Sequence, residues 1–196
     1  MASNRNTFIR SLHDLGAAAW FGGNLMGAVG VNGASKDVKD PAERAAVSSA
    51  GWARWAPVNA VAIGAHAVGS IGIFLANRDR VRNQPGAAAN SVIKSVLTVA
   101  ALGTTVYSGI LGRKIATEGG SAPVEGGTVP ASGTPDQVAK LQQQQRILQW
   151  VTPALVGGII ICGAQQGEQQ RASEQLRTRG LSAVKNAASR VTKLAA

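Results

Sequence analysis

The sequence has very few of the residues from which metal and covalent sites are usually built. Among 196 residues there are one cysteine, Cys162, and two histidines, His13 and His66. A single cysteine excludes an intramolecular disulfide framework, and three such residues cannot supply a four-ligand zinc site. The glycine-rich phosphate-binding motifs and a Ser-His-Asp order are also missing. These absences make an enzyme the less favoured interpretation and predict no protein-bound metal.

Charge is missing from four long stretches, although the chain as a whole has 20 basic and 10 acidic residues. A helix on the surface of a soluble protein would carry a charged residue every turn or so. Stretches of this length match the thickness of the hydrocarbon layer of a membrane. The uncharged stretches are 15–31, 56–77, 95–112 and 147–167.

The predicted fold is therefore all-α: a polytopic membrane protein with four transmembrane helices in a compact antiparallel bundle. The spans are expected at about 8–31, 57–77, 92–112 and 147–167. Alanine and glycine dominate them, with pairs four residues apart at Gly23 and Gly27 and at Gly163 and Gly167. Small side chains let helices approach each other closely in lipid, which favours a packed bundle over four separate anchors.

Basic residues and tryptophans predict the orientation. With both ends in the cytoplasm of a bacterial cell, the inner segments hold twelve basic and four acidic residues, against eight and six in the outer loops. This bias has the sign of the positive-inside rule. Trp52, Trp55 and Trp150 then fall at the outer interface, whereas Trp20 lies inside the first span as a packing residue. The predicted location is the plasma membrane.

Three segments outside the spans have recognisable patterns. Residues 168–196 combine Leu, Val and Ala at helical spacing with basic residues, which predicts either an amphipathic cytoplasmic helix on the membrane surface or a solvated tail. Asp40-Pro41 predicts a short interfacial helix. The outer loop 113–135 is too rich in glycine and proline to be expected to pack, and it ends at Thr134-Pro135-Asp136, where a helix with a polar, glutamine-rich outer extension should begin.

Polar residues inside the spans are the candidate functional residues, because such groups are costly in a membrane and usually face a bundle interior or a wet cavity. On the second span, Asn59, His66 and Ser70 share one helical face. Together with residues of the first and third spans they would form a polar seam. Its members besides His66 are Asn24, Asn59, Ser70, Lys94, Thr98 and Thr105.

His66 has two interpretations, and His13 accompanies it. A neutral imidazole can bind haem or a metal or relay a proton, so His66 and His13 are candidate cofactor-binding residues. Alternatively, His66 is a buried histidine that hydrogen-bonds to a neighbouring helix. Turn counting places His66 about two turns deeper than His13, at ~5.4 Å per turn, so the two are not expected to lie level.

Charged groups at the inner ends of three helices form a second candidate cluster. Asp14, Lys94 and Glu168 should lie at similar depth. An Asp14–Lys94 ion pair that fixes the helix register is the favoured interpretation, and a site where a proton or ion enters the bundle is the alternative.

Two resemblances add expectations. The run LHDLGAAAWFGG, residues 12–23, resembles the first helix of the copper-resistance D-type group of small four-helix membrane proteins. That resemblance implies a role for His13 and Trp20 and a connection with metal, haem or redox traffic. With GWARW at 51–55 and GEQQR at 167–171, the whole chain looks more like a family of uncharacterised actinobacterial membrane proteins. This second resemblance implies no activity.

The leading functional hypothesis is a non-enzymatic interaction or accessory component of a membrane complex. Its expected partners are the lipid bilayer and either another protein or further copies of the chain. The net charge of +10 does not indicate nucleic acid, because the basic residues flank the spans and no binding module is present. The competing hypothesis is a haem-binding or metal-binding protein, or a proton-coupled redox or transport protein, that uses His66 and the polar seam.

Overall fold

The computed structural model describes residues 7–83 and 85–168 of the chain. The predicted amphipathic tail, apart from its first residue Glu168, lies outside these residues.

Five helices and one small hairpin make up the described part of the chain. Helix α1, Thr7–Met26, continues through a π-helical segment, Gly27–Val31, into the short helix α2, Asn32–Ala34, and a 3-10 turn, Ser35–Asp37. Three long helices follow, and an antiparallel hairpin separates the last two of them. These elements are α3, Arg44–Asn83; α4, Pro85–Gly119; β1, Val124–Gly126; β2, Val129–Pro130; and α5, Asp136–Glu168.

Three of the helices are long and apolar enough to cross a membrane. They are α3 over Arg44–Arg78, α4 over Ala88–Gly119, and α5 over its whole length. This confirms the prediction of long apolar helices for the second, third and fourth stretches. Helix α1 is not among the helices that are apolar enough to cross a membrane, because the charged residues Arg10 and Asp14 lower the mean hydropathy of this short helix.

Helix α1 nevertheless packs along α3 and α5. Gly16 of α1 lies against the backbone of His66, whereas Gly27, three turns later, lies against the ring of Trp52. Residue numbers on α3 fall as those on α1 rise, so the two helices are antiparallel. Helices α4 and α5 are antiparallel as well, since Asn90 bonds to Gln165 and Thr104 to Thr152.

The apolar core lies where α1, α4 and α5 meet. Trp20 is fully buried there against Ala101, Val156 and Ile159. Phe21 and side chains from α3, α4 and α5 complete the cluster. Trp20 is thus a packing residue, as its position inside the first span predicts.

The segment before α3 differs from its prediction. Asp40 Oδ1 accepts a hydrogen bond from the amide of Ala42, but this capping turn does not start a separate interfacial helix. Helix α3 begins at Arg44 and runs without a break through Pro57 to Asn83. Trp52 and Trp55 therefore lie in the same continuous helix as the predicted second span.

The outer loop is packed, so the expectation drawn from its glycines and prolines is wrong. Val124 and Thr128 are buried, and the amide of Gly127 donates to Ser35 Oγ at 2.9 Å. Gln142 is also fully buried and donates to the carbonyl oxygens of Gly126 and Gly127. Glycine allows this packing because a Cβ at position 127 would lie 2.3 Å from Ser48 Oγ. The glutamine-rich start of α5 is therefore partly a docking surface for the hairpin and not only a polar extension.

Candidate functional site

Two glycines position the candidate site by letting α1 and α3 touch. A Cβ on Gly16 would lie 2.5 Å from the carbonyl oxygen of Ala62, and a Cβ on Gly69 would lie 2.4 Å from the backbone nitrogen of His13. Both contacts are with backbone, which cannot move aside as a flexible side chain could. The crossing point of the two helices therefore requires glycine on each of them.

This crossing brings the two histidines together. The ring centroids of His13 and His66 are 4.5 Å apart with the planes inclined at 45°, and both side chains are almost completely buried. The expectation that the two residues lie at different depths is wrong. Turn counting along each helix does not reveal how far one helix is shifted along the other, and the Gly16 and Gly69 contacts set that shift.

Hydrogen bonds connect the histidine pair to groups on both sides. His66 Nδ1 lies 3.2 Å from the carbonyl oxygen of His13, and Ser70 Oγ lies 3.3 Å from His66 Nε2. A proton on Nδ1 satisfies both contacts, which corresponds to a neutral ring. His13 Nδ1 lies 2.6 Å from Asp14 Oδ1, while His13 Nε2 is buried and has no hydrogen-bond partner within residues 7–83 and 85–168.

The other seam residues make contacts between helices or line a shared groove. Trp20 Nε1 donates to Thr105 Oγ1 at 3.1 Å, which joins α1 to α4. Asn24 Nδ2 lies 3.5 Å from Asn59 Oδ1, which joins α1 to α3. These two bonds connect α1 with each of its neighbours α3 and α4.

A groove of about 290 Å³ lies between α3 and α4, beside the histidine pair. We call it the α3/α4 groove. Ser70, Lys94 and Thr98 of the predicted seam contribute to its lining. Its remaining walls are uncharged and come from α3, α4 and the end of α5; they are Ile73, Phe74, Asn77, Val81, Ser91, Ser95, Val99 and Gln166.

The predicted ion pair is not formed between the two described residues. Asp14 is 73% exposed, and its carboxylate binds the ring of His13. Lys94 has no described carboxylate within ion-pair distance and faces the groove. Glu168 is exposed at the end of α5. The carboxylate of Asp14 therefore bonds the neighbouring imidazole and does not form an ion pair with Lys94.

Metal binding has limited support in the described ranges, 7–83 and 85–168. No group of three or more His, Cys, Asp or Glu side chains there is arranged to hold a metal ion. The His13 and His66 rings are in contact, so a planar macrocycle cannot lie between them in this arrangement. The unpartnered His13 Nε2 is the one histidine nitrogen of the pair that could accept a proton or ligand without breaking a described bond.

A second polar cluster, absent from the sequence predictions, lies at the other end of the bundle. Asn32 Oδ1 accepts hydrogen bonds from Ser48 Oγ at 2.7 Å and from Trp52 Nε1 at 2.9 Å. Asn32 Nδ2 donates to Gln149 Oε1 at 2.8 Å. An asparagine directly after an apolar span was the available signal. This cluster fastens α2, α3 and α5 to each other.

Comparison with known proteins identified no relative of the chain. No family model matches the chain, and neither a curated protein nor a solved structure matches it.

Proposed function

We propose that this chain is a four-span protein of the bacterial plasma membrane, with both ends cytoplasmic, that serves as a non-enzymatic interaction or accessory component of a membrane complex. The three apolar helices support membrane insertion. The position of α1 supports a fourth crossing, because its buried face, which includes His13 and Trp20, lies between α3 and α5. Its opposite face exposes apolar Phe8, Leu15 and Met26, as a lipid-facing surface would.

The observation that carries the proposal is the outward face of α4. Six residues spaced alternately four and three apart form one continuous exposed stripe, which we call the α4 stripe. Its members are Val92, Val96, Val99, Gly103, Val106 and Ile110. At the centre of the stripe, a Cβ on Gly103 would meet no atom within 4 Å.

A surface that meets only lipid gains nothing from a glycine at its centre. Alternating spacing of four and three is the pattern with which helices pack side by side, and small residues let the two backbones approach in a membrane. Valine is stiff at χ1 and loses little freedom on packing. The α4 stripe therefore fits a further membrane-spanning helix, from another protein or from a second copy of the chain.

Hydrogen bonds between helices support a structural role for many of the polar groups in the described bundle. The bonds from Trp20 to Thr105, from Asn32 to Gln149 and from Thr152 to Thr104 each connect two helices. Such bonds between helices contribute about 0.6 kcal/mol each on average in a membrane. They stabilise one bundle geometry, which a component that presents a fixed helix face requires.

A pair of substitutions at one position tests the proposal. We expect Gly103→Ala to keep the assembly. Gly103→Leu should lower the association constant at least about tenfold, because the larger side chain holds the second helix away. The measurement is the mass of the tagged full chain after extraction in mild detergent, by light scattering, with analysis of co-purifying proteins. A wild-type chain that is monomeric and without a partner under these conditions would refute the proposal.

A second candidate function, proton transfer, is favoured by the histidine pair. Asp14 is exposed and bonded to His13, the buried His13 Nε2 has no hydrogen-bond partner among the described residues, and His66 is bonded to Ser70 at the groove. The contact between the two histidine rings connects these groups into a path of proton-binding side chains from Asp14 to the groove. If protons follow this path, His66→Gln should lower the proton permeability of vesicles containing the full chain, whereas Thr117→Ala, at an exposed hydroxyl far from the pair, should not. Equal permeability of wild type and His66→Gln would exclude this function.

A further inference from the structure

The α3/α4 groove has the chemistry of a binding site for an amphiphile. Phe74 and Val99 on its walls are 54% and 70% exposed, so the groove opens sideways to the surroundings of the bundle. Ile73 and Val81 add apolar surface, and the groove lies where α3 and α4 meet at the connection between Asn83 and Pro85. A ligand can therefore enter from the membrane near the ends of these two helices.

Lys94 indicates that the ligand of this groove carries a negative charge. Among the described residues that line the groove, it is the one with a charged side chain. The nearest candidate counter-ion, Asp14, binds His13, and no other described carboxylate lies within ion-pair distance of the Lys94 ammonium. A cation at membrane depth is costly unless an anion or water compensates it. The groove thus combines apolar walls with a cation that forms no ion pair with a described carboxylate.

We propose that the α3/α4 groove binds an anionic phospholipid, with the headgroup phosphate on Lys94 and an acyl chain along Phe74 and Val99. A lipid fits both halves of the groove, since it brings a negative charge and a hydrocarbon chain in one molecule and is present wherever the groove opens. The chain's own tail is a poorer occupant. Residues 169–196 hold six basic residues and one acidic residue, so their charge has the same sign as that of Lys94.

The test uses the purified full chain in a neutral detergent and measures lipid binding by the shift of its melting temperature. The probes are dioleoyl phosphatidylglycerol, dioleoyl phosphatidylcholine and inorganic phosphate. We expect wild type to bind phosphatidylglycerol at least about tenfold more tightly than phosphatidylcholine, and Lys94→Gln to lose that preference. Lys114→Gln is the matched control, because it removes the same charge from the exposed other end of α4 and should change nothing.

A second variant keeps the charge and fills the space. Ser95 lines the groove and is exposed, so the larger side chain of Ser95→Trp should occupy the groove and weaken phosphatidylglycerol binding although Lys94 is retained. This variant tests the proposal even if Lys94→Gln does not fold. Equal binding of both lipids by wild type would overturn the proposal, as would an unchanged preference in either groove variant. Stabilisation by inorganic phosphate but not by phosphatidylglycerol would overturn the proposal and show a site for a free anion. If wild type binds no lipid and a partner protein co-purifies with wild type but not with Lys94→Gln, the proposal is also overturned, and the counter-ion is a carboxylate of that partner.

Discussion

Single residues decide how closely the helices approach each other. Gly16 and Gly69 are fixed by backbone contacts at the crossing of α1 and α3, whereas Gly64, on the outer face of α3, has no atom within 4 Å of its Cβ position. The two kinds of glycine look alike in the sequence. Within the chain itself, only the first kind has a packing requirement, because a new methyl group there must displace a backbone and not a flexible side chain.

The matched substitutions Gly69→Ala and Gly64→Ala separate these two situations. We expect Gly69→Ala to lower the free energy of unfolding by about 1–3 kcal/mol, since overpacking forces α1 and α3 apart. Gly64→Ala should leave it unchanged or raise it by up to about 1 kcal/mol through helix propensity. Unfolding of the full chain in detergent, followed by circular dichroism, measures both values. Equal stability of the two variants would contradict the proposed crossing.

The hydrogen bond from Trp20 to Thr105 can be tested without changing the packing volume much. Thr105→Val removes the acceptor of a fully buried indole N–H, and we expect a loss of about 1–3 kcal/mol in the free energy of unfolding. Thr117→Val is the control, because the Thr117 hydroxyl is exposed and bonds its own helix backbone. A similar small effect of both substitutions would show that the indole bond contributes little.

At the scale of elements, the hairpin β1–β2 depends on side chains from helices that are distant in sequence. Ser35 comes before α3 and Gln142 lies in α5, and both bond the backbone of residues 126–127. The composition of the loop predicts flexibility because it considers only the loop. The helices supply the missing hydrogen-bond partners, so the backbone polar groups are satisfied and the segment can pack.

Loss of Gln142 should therefore release the hairpin. We expect Gln142→Ala to increase the rate of amide hydrogen exchange in residues 124–130 about tenfold or more, because about 1.4 kcal/mol or more of local stability is lost. Gln143→Ala is the control, since Gln143 is exposed on the same turn of α5. Mass spectrometry of peptides from the full chain gives the rates. If Gln143→Ala has the same effect, the bonds from Gln142 do not hold the hairpin.

At the scale of the whole molecule, the helix contacts and the charge bias together predict how many times the chain crosses the membrane and on which side its ends lie. A chain in which α1 crosses has both ends on one side, whereas a chain with three crossings has its first residues on the side of the β1–β2 hairpin. The antiparallel packing of α1 on α3 favours the first arrangement.

Labelling of single cysteines in whole cells tests this prediction. On a Cys162→Ala background, a membrane-impermeant maleimide should label Ser132→Cys, which is exposed in the outer loop, and should not label Ser3→Cys or Ser189→Cys. Permeabilised cells should give labelling at all three positions, which controls for reactivity. Labelling of Ser3→Cys from outside would show that α1 does not cross the membrane.

Local sequence patterns were enough to give the helical class, three long apolar helices among the four expected spans, and the start of α5 at Asp136, because lack of charge, hydropathy and proline placement act locally along the chain. They also identified His66, Thr105 and Asn59 as buried or half-buried groups in the bundle interior, since polar residues in apolar helices have few other places to lie. The packing of the helices in space decided the contact between His13 and His66, the packed hairpin and the lack of a described carboxylate within ion-pair distance of Lys94. Each depends on the shift and rotation of one helix relative to another, and these are set by close contacts at Gly16, Gly69 and Gly127 between residues far apart in sequence.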